Sequence, residues 1–209
     1  MKHEWRKSEK EFYTPKAKPS LIDIPTFQFF TILGEGNPND DHFPDYIQVL
    51  YALSYGVRMS HKKGIAPKDY FEYTVYPLEG IWDLNEEAKK SHDGSIDKDD
   101  LVFKLMIRQP AFVDAFFAQM IIERTKQLKP HPLIEHVQFE KIEEGLCVQM
   151  MHLGSYDDEP RSFREMELFT ENQNLIRVSK AHREIYLSDV RKVAPENLKT
   201  VLRFQVNHK

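Results

Sequence analysis

The sequence predicts an α+β fold built from a strand-helix-strand-strand unit that occurs twice, and three observations predict it. Short apolar runs with strand periodicity alternate with segments of helical periodicity. Their order reads strand, helix, strands, and then repeats. Sliding the sequence on itself by about 120 positions sets "ILGEGNPNDDHFPDYIQVL" against "HLGSYDDEPRSFREMELFT", aligning Leu33 with Leu153, Gly34 with Gly154 and Phe43 with Phe163. Two such units make an antiparallel sheet with helices on one side, leaving the opposite face to be covered or to bind something.

The first twenty residues are polar and basic and end in "PKAKP", which reads as an extended arm or short helix. "IPTFQFFTIL", Ile24 to Leu33, is rich in aromatic and β-branched residues and is closed by the turn formers of "GEGNPNDD". A helix follows from about Phe43 to Val57, with Phe43, Ile47, Leu50 and Leu53 at helical spacing and Asp40 or Asp41 as N-cap. "YFEYTVYPLEGIWDL" is read as a strand broken near Pro77 and Gly80. Residues Asn85 to Asp100 are charged and read as a loop at a hairpin tip, and "LVFKLMIRQP" as a strand. From Ala111 to Leu128 the spacing of Phe112, Val113, Phe116, Phe117, Met120 and Ile121 predicts a helix with one broad buried face. "EHVQFEKIEEGLCVQMMHLG" reads as a hairpin turning at Glu144-Gly145. A helix from about Pro160 to Phe169 follows, then the strands "HREIYLSD" and "LKTVLRFQV".

Composition narrows the function classes. The 29 basic and 33 acidic residues leave a net charge of −4, so no basic field invites nucleic acid or an acidic membrane. One cysteine, Cys147, excludes an intramolecular disulfide framework and fits a reducing compartment. The charged N-terminus lacks the apolar core of a signal peptide, and no run approaches membrane-spanning length. The expectation is a cytoplasmic protein that binds neither DNA nor membrane.

Several chemistries are disfavoured by their missing motifs. The nine histidines form no HExxH pair. Neither a GxSxG elbow nor a P-loop is present, and "GEG" lacks the further glycine of a dinucleotide fingerprint. No metal and no cofactor is expected, and Cys147 reads as a core thiol. What remains is aromatics beside carboxylates. In "HREIYLSD" alternation puts His182, Glu184, Tyr186 and Ser188 on one strand face and Arg183, Ile185 and Leu187 on the other. If the first face is open to water, Glu184 is an ordinary solvated residue; if it surrounds a ligand, Glu184 is a site. "YPLEGIW" places Glu79 near Tyr76 and Trp82, whose rings either pack the core or wall a pocket for flat or cationic organic molecules.

At these residues the chain resembles the GyrI-like small-molecule-binding family, and more particularly its stand-alone branch. The resemblance runs from Pro25 to Val206 through "GEGNPN", "LYALSYGV", "YPLEGIW", "LMIRQP", "HLGSYDDEP" and "HREIYLSDVRKVAPENLKTVLRFQV". It implies duplicated strand-helix-strand-strand (SHS2-type) modules whose sheet forms a concave groove. It also implies an arm at residues 1–24 and one domain at residues 25–209, with pseudo-repeats at about 25–110 and 135–206. Some members are effector domains fused to helix-turn-helix regulators, some bind gyrase, and some stand-alone members hydrolyse cyclopropanoid DNA-alkylating compounds. The chain before Pro25 is too short for a helix-turn-helix domain, so a self-contained transcription factor is not expected. Arg183 stands where a second His occurs in the form "HHEIYLSD", and Gln205 where a Pro is usual; neither touches the acid.

The resemblance makes Glu184 the pocket glutamate, and the implied reaction gives it a role. Water attack on a cyclopropane conjugated to a dienone pushes electrons onto the carbonyl, which becomes a phenol. That needs a base for the water and a donor for the developing oxyanion. Glu184 is the candidate base, with Tyr186, Tyr156 or Tyr76 as donor. Trp82, Tyr76, Glu79, His182 and Met106 are the ligand-binding candidates, with Glu79 either orienting the water or holding its strand. The rival readings are a non-catalytic multidrug-binding protein, with Glu184 as counter-charge for cationic ligands, and a gyrase-interacting protein.

Overall fold

A computed structural model describes residues 2–91 and 97–209. In chain order its helices and strands are α1 (Trp5–Ser8), α2 (Lys10–Tyr13), β1 (Ser20–Ile24), β2 (Phe27–Glu35), α3 (Phe43–Arg58), β3 (Leu78–Leu84), α4 (Glu86–Ser91), β4 (Leu101–Gln109), α5 (Ala115–Leu128), β5 (Gln138–Ile142), β6 (Gly145–Leu153), α6 (Glu159–Asn172), β7 (Leu175–Arg177), β8 (His182–Tyr186) and β9 (Lys199–His208). They divide into two compact units, one built on Phe27–Leu78 and Leu84–Ile142, the other on Trp5–Thr26, Glu79–Asp83 and Glu143–Lys209. Both units are α+β, with antiparallel strands and helices packed on them.

In the first unit β2 lies between β4 and β5, so that Phe30 faces Ile107 on one side and Phe139 on the other. Alternation puts Phe30, Ile32, Phe103, Leu105 and Ile107 on one face, all buried. The apolar stripe of α3, Val49, Leu50, Leu53 and Val57, is buried with them, and Phe43 and Tyr46 of α3 set their rings edge-on to Phe103. Gly34 is required here, because a Cβ would run into the Phe103 ring. α5 begins at Ala115, where Asp114 accepts a hydrogen bond from the Phe117 amide. Phe112 and Val113 therefore precede the helix and Phe116 is 82% exposed, so the buried stripe is narrower than its spacing predicts.

In the second unit the strands run β1-β6-β9-β8-β3, with β7 also paired to β9. α6 covers the face made by Val148, Met150, Leu202, Phe204 and Val206, closing a core on Met166 and Leu175. The other face is charged. Arg183 Nη1 binds Glu79 Oε2 at 2.7 Å, its Nε lies 3.1 Å from Glu144 Oε1, and Arg203 Nη1 lies 3.1 Å from Glu144 Oε2. Backbone carbonyls of Glu11 and Phe12 accept hydrogen bonds from Gln149 and Arg203 over that face.

Some elements differ from expectation for identifiable reasons. The strand expected from Ile24 begins only at Phe27, because Pro25, which lacks an N–H, separates it from β1 at Ser20–Ile24. The strand expected across "YFEYTVYPLEGIWDL" starts only after Pro77. α3 is preceded by His42 without a side-chain cap, so neither Asp40 nor Asp41 serves. Gly145 does take a left-handed turn, φ 63°. Yet β5 pairs with β2 and β6 with β1 and β9, so the strands of the expected hairpin take different partners. Of the charged stretch expected as a loop, Glu86–Ser91 is helical, and the part at 92–96 lies outside the described residues.

Candidate active site

β8 sits between β3 and β9, which places Gly80 and Leu202 on either side of Glu184. Gly80 contributes no side chain there, and Leu202 belongs to the core that α6 covers. Glu184 is accordingly only 9% exposed. Its face is the one beneath α6 and not the one opposite the helix, where a groove was expected. The reason lies in register, since Glu184, Leu202 and Met150 stand in line across three strands and an amphipathic helix covers the apolar side of such a row.

Three groups meet the Glu184 carboxylate, and two further rings pack on them. His182 Nε2 is 3.0 Å from Oε1. The Tyr186 hydroxyl donates to the carboxylate and accepts from Trp82 Nε1 at 2.7 Å, an order required by an indole N–H that can only donate. Glu159, the first residue of α6, hydrogen-bonds Glu184 directly. Tyr156, in a short 3-10 turn just before α6, sets its ring edge-on to Tyr186 at 6.0 Å. Phe163, one turn into α6, does the same to His182 at 4.7 Å.

Charge in this enclosure is held down by protons. Burial, reinforced by the neighbouring Glu184 charge and its hydrogen bond, pushes the Glu159 carboxyl up to about 10. Burial and then Glu184 also hold the Tyr186 and Tyr156 hydroxyls above their ordinary range, so both are O–H donors at neutral pH. Glu159 Oε1 is buried and has no hydrogen-bond partner among the described residues. The site therefore combines a carboxylate, a carboxylic acid in contact with it, two phenols and aromatic walls. Tyr156, 38% exposed, and the half-buried His182 connect it to the surface.

The loop that carries Tyr156 and Glu159 is anchored by a residue below it. His152 is fully buried on β6, its Nε2 2.9 Å from the Ser155 carbonyl and its Nδ1 2.9 Å from Ser162 Oγ. A carbonyl only accepts, so Nε2 carries the hydrogen. Gly154, at φ 130°, makes the turn between them.

The structure thus brings together Glu184, Tyr186, Tyr156, Trp82 and His182. Glu79 lies on the other face of β3, paired to Arg183. Tyr76 and Met106 belong to the first unit, Tyr76 with its ring against the Arg108 guanidinium at 4.7 Å, Met106 fully buried on β4. Glu159 was missed by sequence reasoning. Its signal, an acid before Pro160 at a helix start, is what any helix N-terminus presents. Donor atoms of Glu159, His182 and Glu184 lie within 4.8 Å of one another, a spacing a divalent cation can bridge.

Comparisons agree with this architecture. Residues 17–207 match the family model described as a GyrI-like small molecule binding domain. A hydrolase from Listeria innocua superposes with a TM-score of 0.88 at 34% identity, over 99% of this chain and 100% of the other. An uncharacterized conserved protein from Listeria innocua gives a TM-score of 0.86 at 35% identity with the same coverage. The EcmrR C-terminal domain, at 14% identity, TM-score 0.52, and coverage of 92% of this chain and 98% of the other, shares the fold alone. No curated protein sequence matches the chain. Among the described residues no helix is long and apolar enough to cross a membrane.

Proposed function

This chain belongs to the family of GyrI-like small molecule binding domains, and we propose that it is a hydrolase that opens the cyclopropane ring of aromatic, DNA-alkylating cyclopropanoid compounds. The observation that carries the reading is a buried carboxylate, Glu184, surrounded by hydrogen-bond donors and aromatic rings. The full-length likeness to a hydrolase from Listeria innocua supports an enzyme in preference to a passive binder.

In this reading Glu184 takes the proton of a water that attacks the strained CH2 of the ring. The ring C–C bond breaks and its electrons pass through the conjugated system to the carbonyl oxygen, which becomes a phenolate. Tyr156, the more exposed of the two phenols, donates to that oxygen. Tyr186, tied to Trp82 and Glu184, orients the base. Trp82 and Phe163 supply flat apolar surface against which a planar ring system packs. Acid–base groups of this kind each contribute about 10² to 10⁴ in rate.

The test is to incubate the purified protein with a cyclopropanoid alkylator and follow addition of water by mass spectrometry. Glu184→Gln is expected to lose turnover by about 10²-fold or more while keeping its melting temperature. Unchanged turnover in that variant rules out Glu184 as base. Tight binding with no turnover in the wild type assigns the protein to sequestration instead.

A further inference from the structure

The direct contact between the two carboxyl groups fits a reaction that ring opening does not use. Displacement at a saturated ring carbon is in-line, so the entering water and the departing electrons lie on opposite sides of that carbon. An acid touching the base is then in the wrong place to assist departure. Addition of water to a carbonyl is different, because the entering oxygen and the oxygen that gains charge sit on the same carbon. A base and an acid side by side can serve both.

We propose that the Glu159–Glu184 pair also hydrolyses aryl esters and aryl lactones, by adding water to the acyl carbon. Three features of the site meet what this requires. Glu159 hydrogen-bonds Glu184, and two carboxyl groups in such contact keep one proton between them. Glu159 Oε1 is buried with no partner among the described residues, leaving a carboxyl oxygen to engage a ligand. His182 and Tyr186 both hydrogen-bond Glu184 and hold it in place, while Tyr156, Trp82 and Phe163 provide aromatic surface for an aryl group.

The steps balance without any further reagent. Water forms a bond to the acyl carbon and gives its proton to Glu184, as the carbonyl π bond opens and its oxygen takes the proton of Glu159. In the collapse that follows, the bond to the aryl oxygen breaks and that oxygen takes the proton from Glu184. The gem-diol returns its proton to Glu159 as the carboxylic acid forms. The pair ends as it began, and no covalent acyl-enzyme is made.

This inference rests on Glu184 acting as base, which it shares with the ring-opening reading, and the experiment separates the two. The protein is assayed with 4-nitrophenyl acetate and with dihydrocoumarin, in buffer containing a chelator, beside the cyclopropanoid assay. Expected are turnover of both esters above the buffer rate, no initial burst of nitrophenol, and losses of about 10²-fold or more in Glu159→Gln and in Glu184→Gln. Absence of ester turnover in the wild type overturns the inference, whatever the variants do. So does a stoichiometric burst, full activity in a folded Glu159→Gln, or activity that the chelator abolishes and a divalent metal restores. Ring opening without ester hydrolysis defeats this inference alone; ester hydrolysis without ring opening defeats only the earlier reading.

Discussion

Glu159 retains a proton far above the ordinary carboxyl range, and this makes stability depend on pH in a definite direction. Above about pH 4 the unfolded chain releases this proton, whereas the folded chain holds it up to about pH 10. Between those values the native state binds more protons than the unfolded state, so this residue's contribution to stability falls as pH rises. Glu159→Gln, which keeps the shape and a donor but cannot ionise, is expected to flatten that dependence. Urea titrations of both proteins at about pH 6 and about pH 9 measure it; an unaltered slope in the variant refutes the assignment. At the same scale, Trp82→Phe keeps the ring but removes the N–H that Tyr186 accepts. A destabilisation of about 1 kcal/mol and weaker binding of planar ligands are expected, read by thermal melts and by quenching of ligand fluorescence.

The turn from β6 into α6 decides where the acid and one phenol stand. His152 pins the Ser155 carbonyl and the Ser162 hydroxyl, and Gly154 bends between them at a backbone angle that side chains rarely adopt. Gly154→Ala should cost about 1–3 kcal/mol. Its effect on kcat should exceed that expected from lost folded protein, because Tyr156 and Glu159 both move with the turn. Measuring turnover per folded molecule, with the folded fraction taken from circular dichroism, separates the two contributions. Equal losses in activity and folded fraction would show the turn to be merely structural.

In the molecule as a whole, the second unit carries opposite chemistries on the two sides of one sheet. One side is the α6 core with the carboxyl pair at its edge; the other is a buried network of two arginines and two glutamates. Arg183 and Arg203 share Glu144, so Glu144→Ala leaves two buried guanidiniums short of a counter-charge. A loss of about 3–5 kcal/mol is expected from denaturant titration, and a loss below about 1 kcal/mol would mean the network is hydrated and not buried. Alternation in "HREIYLSD" separated these sides correctly, with Arg183 on one and His182, Glu184 and Tyr186 on the other. The acid's neighbours along its own strand were legible for that reason. Its partner Glu159 was not, because nothing local marks which helix start will pack against which strand. Glu79 shows the same limit from the other direction, since its closeness to Trp82 in sequence says nothing about facing Arg183.

The sequence by itself determined the α+β class, the strand-helix order met twice, the absence of a basic field, and the face of β8 that bears Glu184. Each follows from periodicity, turn chemistry or charge, which act between residues close along the chain. Only the tertiary structure decided that β5 and β6 part to different strands, that α6 covers the Glu184 face, and that a second carboxyl meets the first there. Those depend on register and packing between distant segments, and it is the burial they produce that turns a strand glutamate into half of an enclosed carboxyl pair.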